Sequence, residues 1–301
     1  MALFITGDTH GSQRAHMNDV DGYMHRFNTD SFPEQKELTK DDYVIICGDF
    51  GGIWDSNRER VEESKQEKYG LKWLENKPFT TLFVPGNHEN YDRLTGIEDE
   101  ALLNSWLFAK MPDEEKEKFR QGYPRKEWHG GYVREIRPSI LMLEAGVFDI
   151  DGTKVFAYGG APSHDIQGGI LNPADFETEK EFKVVYVKWY MEEQCRMRQP
   201  FRVKGVSWWE QEQPSAKIEQ QAVEALEKAN WKVDFIVTHD AARIDRALMG
   251  YGDEITRLNI FLEEVKFKTD YKHWFFGHLH DNQNLPGYKE HLIYEQIVQV
   301  H

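Results

Sequence analysis

The sequence predicts an α/β protein whose strand ends converge on a metal site, and three observations carry that prediction. Tyr43-Val44-Ile45-Ile46-Cys47 is an unbroken apolar run, rich in β-branched residues and stopped by Gly48, the pattern of a strand buried on both faces. The same grammar recurs along the chain. Ala2–Gly7 runs into Asp8, the Tyr43 run into Asp49, Thr81–Gly86 into Asn87 and His273–Gly277 into His278, while Asp234–Thr238 reaches His239 without a glycine. Each run therefore stops at a nitrogen or oxygen donor, where a turn would accept Ser, Thr, Lys or Pro equally well. Ligands in open α/β sheets bind outside the carboxyl ends of the strands, so five such ends favour a metal site over five unrelated turns.

Composition limits what that site serves. With 301 residues, 40% hydrophobic and 30% charged, the chain can bury one large core or two ordinary ones. No apolar stretch approaches the roughly 18 residues a membrane helix needs. The first strand begins at residue 2 and leaves no room for a signal peptide, so a cytoplasmic location is expected. Cys47 lies inside a strand and Cys195 in a charged segment, which fits a reducing compartment and offers no thiolate pair for a metal. A net charge of −15 argues against nucleic acid and anionic lipid as partners. A small, locally positive site could still take a phosphate.

In chain order, Asp8 and His10 stand two apart in an extended segment, so their side chains leave on the same side and can reach one ion. Ser12–Lys40 reads as loop with a short helix around Val20–Phe27, and His16 and His25 as surface or packing residues. Asp49 can bridge two cations through its two oxygens. Residues Glu59–Lys72 read as an exposed helix with its charges on a solvated face. In Gly86-Asn87-His88-Glu89, the neutral carbonyl of Asn87 suits an ion already carrying carboxylates. His88 points the opposite way, a candidate acid for a leaving oxygen; otherwise it positions water or caps the next helix. Glu98–Lys118 carries Leu102, Leu103, Trp106 and Leu107 at helical spacing.

Ser139–Leu143, Val147–Ile150 and Thr153–Tyr158 read as strands of the far half of the fold, with Asp151-Gly152 a tight hairpin turn. His164 follows in a loop like those that bear ligands and serves either the pocket or the turn. From Ile166 to Pro214 aromatics accumulate, and the pattern is open between strand, helix and lid. Val184, Val185 and Val187 favour strand while Glu192–Arg198 favours helix. An aromatic lid could stack a nucleobase, although packing is the commoner role. Ser215–Asn230 is an amphipathic helix. Gly277-His278-Leu279-His280 again sets two imidazoles two residues apart. Leu292–Tyr294 and Gln296–Val300 read as final strands closing the second sheet; His291 and His301 have no motif around them.

Asp8-Thr9-His10, Gly48-Asp49, Gly86-Asn87-His88-Glu89, His239 and Gly277-His278-Leu279-His280 occur in the order seen in the calcineurin-like metallophosphoesterases, which this chain resembles from residue 7 to residue 280. The resemblance implies a four-layer αββα sandwich of two mixed β-sheets flanked by helices. It implies a single domain over 1–301, with insertions around 98–135 and 166–214. It further implies two metal ions, one held by Asp8, His10, Asp49 and His280 and the other by Asp49, Asn87, His239 and His278, with His88 as the catalytic histidine. In the protein Ser/Thr phosphatase branch the Asp49 loop would continue into Asp-Arg-Gly. Here Gly51, Gly52 and Ile53 stand instead, so the acid that pairs with the catalytic histidine in that branch is missing.

The chemistry agrees. Phosphoester hydrolysis needs a nucleophile at neutral pH and relief of charge on the phosphoryl oxygens, and two cations about 3.5–4 Å apart supply both. The expected function is a metal-dependent phosphoesterase that cleaves phosphomonoesters or phosphodiesters by attack of a metal-bridging hydroxide, with His88 assisting the leaving group. The expected substrate is a phosphorylated small molecule or nucleotide. A nitrogen and oxygen donor set without thiolate favours Mn, Fe, Zn or Co. The alternative is a non-catalytic metal-binding scaffold of the same fold.

Overall fold

The computed structural model describes residues 1–12, 22–55, 63–252, 255–287 and 289–301. His16, the start of the expected 20–27 helix and residues 59–62 lie outside the described residues.

The first sheet is built on the apolar runs β1 (Leu3–Thr6), β2 (Tyr43–Ile46) and β3 (Thr80–Phe83). They lie parallel in that order, because each is buried on both faces and none tolerates a solvent side. The sheet continues antiparallel through β4 (Arg125–Trp128), β5 (Gly131–Arg137) and β6 (Ile140–Leu143), with β6 parallel to β3. The second sheet holds β7 (Gly146–Ile150) and β8 (Thr153–Tyr158), and beyond a short parallel pair, β9 (Ile170–Leu171) with β10 (Arg202–Val203), it takes up β11 (Phe235–Thr238) and β12 (His273–Phe276). Its far edge is β13 (Gln283–Asn284) and β14 (Glu290–Leu292), and its order is β13-β14-β12-β11-β8-β7. The last strand, β15 (Ile297–Gln299), pairs antiparallel with β1.

Two expectations are corrected here. The run 139–158 does not lie wholly in the far half: β6 joins the first sheet and the chain crosses over only at β7. Nor does the final strand close the second sheet. Gln299 stands opposite Phe4 and closes the first, a pairing across nearly the whole chain that no local pattern announces.

Three apolar clusters arrange the sheets and helices into four layers. Leu3, Ile5, Ile45, Leu82 and Leu141 of the first sheet meet Phe148, Val155, Phe235, Val237 and Phe275 of the second in the middle. On the outer face of the first sheet, Phe4, Val44, Ile46 and Phe83 pack on α1 (Tyr23–Arg26) and α2 (Lys65–Glu75) through Tyr23, Leu71 and Leu74. Helices α3 (Tyr91–Leu94), α4 (Glu100–Leu103) and α5 (Asp113–Gln121) follow β3, and α6 (Glu179–Gln194) lies between β9 and β10. On the outer face of the second sheet, Phe156, Ile236, Trp274 and Phe276 pack on α7 (Ala216–Lys228) and α9 (Arg257–Lys268), with α8 (Arg243–Leu248) between them. The result is two mixed sheets flanked by helices.

Local chemistry explains the boundaries. Ser64 caps α2 by accepting from the Glu67 amide (3.2 Å), and Asn90, not His88, caps α3 by accepting from the Arg93 amide (3.1 Å). Asp151 and Gly152 both adopt positive φ (50° and 84°), as the two-residue turn between β7 and β8 requires. The expected solvated face of α2 needs correction at Glu67. This carboxylate is buried, paired with buried Arg93 (2.7 Å), and accepts from the Trp54 and Asp55 amides (2.7 and 2.6 Å). The valines at 184, 185 and 187 sit in α6, since their helical penalty is only a few tenths of a kcal/mol each. No described helix is long and apolar enough to cross a membrane.

Candidate metal centre

Each candidate donor occupies the first residues after a strand, and the carboxyl ends of β1, β2 and β3 face those of β11 and β12 across the central core. The glycines before them answer a spatial demand. A Cβ at Gly48 would stand 2.1 Å from His239 Nδ1, at Gly86 2.1 Å from Asp49 Oδ1, and at Gly277 2.0 Å from Asp8 Oδ1. Only hydrogen fits there. His10, Asp49, His278 and His280 also take left-handed backbone conformations (φ 47°, 43°, 69° and 51°), a strain of about 1–2 kcal/mol for each L residue. Strain of this kind collects where surrounding structure holds functional groups in place.

Asp8, His10, Asp49 and His280 come together as one group, each offering a donor atom within 4.8 Å of the others. His10 Nε2 and His280 Nε2 are 2.9 Å apart, and His280 Nε2 is 3.3 Å from Asp8 Oδ2. The Asp49 carboxylate reaches in two directions: Oδ2 lies 3.8 Å from His10 Nδ1, while Oδ1 lies 3.3 Å from His239 Nε2. His239 Nδ1 donates to the Cys47 carbonyl (2.8 Å), a bond that turns Nε2 toward Asn87 Oδ1 (3.2 Å) and Asp49. Three electron-rich atoms facing one another in a buried space call for a cation among them. A hard or borderline ion fits this set of carboxylate, amide and imidazole donors.

His278 comes alongside but does not join the four-donor group. Its amide donates to Asp8 (3.1 Å to Oδ2), its ring centre is 4.9 Å from that of His239, and its Nε2 faces His164 Nε2 at 2.8 Å. His88 stands beside the four-donor group. Its amide donates to Asp49 Oδ1 (2.8 Å), and its ring lies edge-on to His10 (5.2 Å) and stacks on Trp54 (5.8 Å).

The electrostatics follow from burying anions among imidazoles. Burial pushes Asp8 and Asp49 upward, but the neighbouring histidines, His239 foremost, outweigh it and hold both below the usual carboxylate range. Burial alone would lower His239; the Asp49 and Asp8 carboxylates reverse this and carry it to about 10. His88 goes the other way, lowered by burial to about 4 with Asp49 only partly offsetting, and burial lowers His278 to about 3.

Several neighbours were not legible as site residues. Tyr294 stacks flat on His280 (4.7 Å, 3° between planes), and Trp54 backs His88; both are aromatics without a motif. Glu89 is fully buried, accepts from the Gly51 amide (3.3 Å), and is raised well above the usual range by burial and then by Asp49. His164 had the signal of a ligand-like loop.

A structure of phosphopantetheinyl hydrolase (PptH) from Mycobacterium tuberculosis aligns with 99% of this chain and 95% of its own, at 13% identity and a TM-score of 0.34. Among curated proteins, none matches. The model of the calcineurin-like phosphoesterase family matches residues 1–282, the span that contains every donor described above. The chain belongs to the calcineurin-like phosphoesterase family.

Proposed function

We propose that this protein is a binuclear metal-dependent phosphoesterase acting on a phosphorylated small molecule or nucleotide, working as one domain over 1–301 with insertions around 98–135 and 166–214. Asp8, His10, Asp49 and His280 hold one ion; Asp49, Asn87, His239 and His278 hold the other. The observation that supports this most is the shared carboxylate, with Asp49 Oδ2 on the His10 side and Oδ1 on the His239 and Asn87 side. When bound, a pair of Mn, Fe, Zn or Co ions supplies a nucleophile at neutral pH and charge relief for the phosphoryl oxygens. The chain does the rest. Asp8 and Asp49 set the charge, the Cys47 carbonyl keeps His239 turned inward, and Trp54 fixes the plane of His88. Burial keeps the His88 imidazole neutral, so that it assists the leaving oxygen by a hydrogen bond from its N–H with no proton transferred.

Release of p-nitrophenol from mono- and bis-(p-nitrophenyl) phosphate with added Mn²⁺ tests the reading. Turnover is expected to vanish with EDTA and to fall by at least about 100-fold in Asp49→Asn and His88→Ala. Turnover indifferent to EDTA and to both substitutions would overturn it and leave the non-catalytic scaffold.

A further inference from the structure

We infer that His164, which stands outside the seven donors proposed above, is an additional ligand of the metal position that His278 serves, delivered there by the 202–212 segment. The inference rests on the binuclear reading and adds a residue to it.

The first observation is the aim of the imidazole. His164 Nε2 lies 2.8 Å from His278 Nε2, the ring centres are 4.6 Å apart and the planes are 24° from parallel. A collinear N–H···N bond would hold the centres roughly 5 Å apart, so the two nitrogens meet at an angle. Two nitrogen donors about 2.1 Å from one ion and at a right angle to each other lie about 3 Å apart. The pair His10 and His280, inside the four-donor group, has nearly the same spacing at 2.9 Å. His278 is buried while His164 is exposed, the disposition of a donor that closes a site from its solvent side.

The second observation is how the loop is held. Ser163, before His164, gives its amide and hydroxyl to the two oxygens of buried Glu212 (2.8 and 2.7 Å). Asp165, after it, receives both Nε and Nη2 of Arg202 (2.6 Å each). Arg202 in turn donates Nη1 to the Ser207 carbonyl (2.8 Å) and is set in β10 by its pairing with β9. Beneath the loop, the Gly160 amide donates to the Pro85 carbonyl (2.7 Å), on the same turn that carries Asn87. Both neighbours of His164 are thus gripped bidentately by one segment, and the histidine between them is the residue pointed at His278. A turn needing only a polar surface residue would not be clamped on both sides.

The test is a Mn²⁺ titration of the metal-stripped full chain, followed by calorimetry and by the electron paramagnetic resonance of the bound Mn²⁺. Wild type is expected to take two ions. His164→Ala is expected to weaken one of the two sites by about 10-fold or more and leave the other within twofold, with circular dichroism unchanged. His164→Gln, which keeps polar reach without an imidazole, gives the same loss and decides the matter if the alanine variant does not fold. Arg202→Met, which opens one clamp, weakens the same site by a smaller factor. Variants at His164 that bind two ions with wild-type affinities and spectra overturn this inference while leaving the binuclear reading intact. A wild-type chain that takes up no Mn²⁺ overturns both.

Discussion

Gly277→Ala isolates the demand that the site places on its glycines. The backbone at Gly277 is not in the left-handed region, so alanine brings no conformational penalty of its own. The new methyl would stand 2.0 Å from Asp8 Oδ1 and 2.9 Å from the Cys47 carbonyl oxygen. A tolerable carbon–oxygen contact is about 3.2 Å, so the Asp8 carboxylate or the β12 end must retreat by roughly 1 Å, and overpacking of this kind costs about 1–3 kcal/mol. A displacement of that size at a reacting centre costs about 100-fold in rate, and it moves Asp8 relative to His10 and His280. The expected result is a folded protein whose kcat/KM on bis-(p-nitrophenyl) phosphate falls by about two orders of magnitude, with weakened Mn²⁺ uptake by calorimetry. Gly152→Ala is the control. Its φ of +84° makes alanine strained while nothing lies within 4 Å, so it costs about 1 kcal/mol of stability and leaves metal uptake unchanged. Gly277→Ala with wild-type metal affinity and turnover would refute the claim that the carboxylate needs that space.

Glu67→Ala strands a buried Arg93 and removes the acceptor of the Trp54 and Asp55 amides, so urea unfolding should report a loss of about 3–5 kcal/mol; a loss under about 1 kcal/mol would show the pair to be dispensable. Glu212 supplies a pH signature. Burial raises its carboxyl from 4.5 to about 7, against the two hydrogen bonds from Ser163. Because the folded state holds this proton more tightly than the unfolded state, its contribution is complete below about pH 4.5 and is lost as pH rises through about 7. Glu212→Gln should remove that fall from the stability profile measured by denaturant titration between these limits, and an unaltered slope would count against a buried, proton-holding Glu212.

The donors were readable because their signal is local. A buried parallel strand must be apolar without interruption, so a donor at its end, behind a glycine in four of the five runs, stands out against it. The motifs at Asp8, Asp49, Asn87 and His280 needed no tertiary information to be noticed. The neighbours did. Nothing adjacent in the chain marks Tyr294 as the plate under His280, or Trp54 as the backing of His88. Glu67 read as one charge among many on an amphipathic helix, since the buried arginine that claims it comes 26 residues later. In 166–214 the local preferences conflict, and the outcome was decided by Leu171, Phe182 and Val203 packing together with Trp106 from the segment before it.

Fold class, the positions of the core strands and the kinds of atom presented at their ends were all written locally, because periodicity, turn chemistry and donor type are properties of a few consecutive residues. Tertiary structure alone decided which sheet each strand joined, as with β6 and β15. It also decided that Asp49 reaches toward two groups of donors, and that His278 faces His164. These are contacts across tens to hundreds of residues, set by how two sheets pack and where the chain crosses between them, and no local pattern encodes a distance in space.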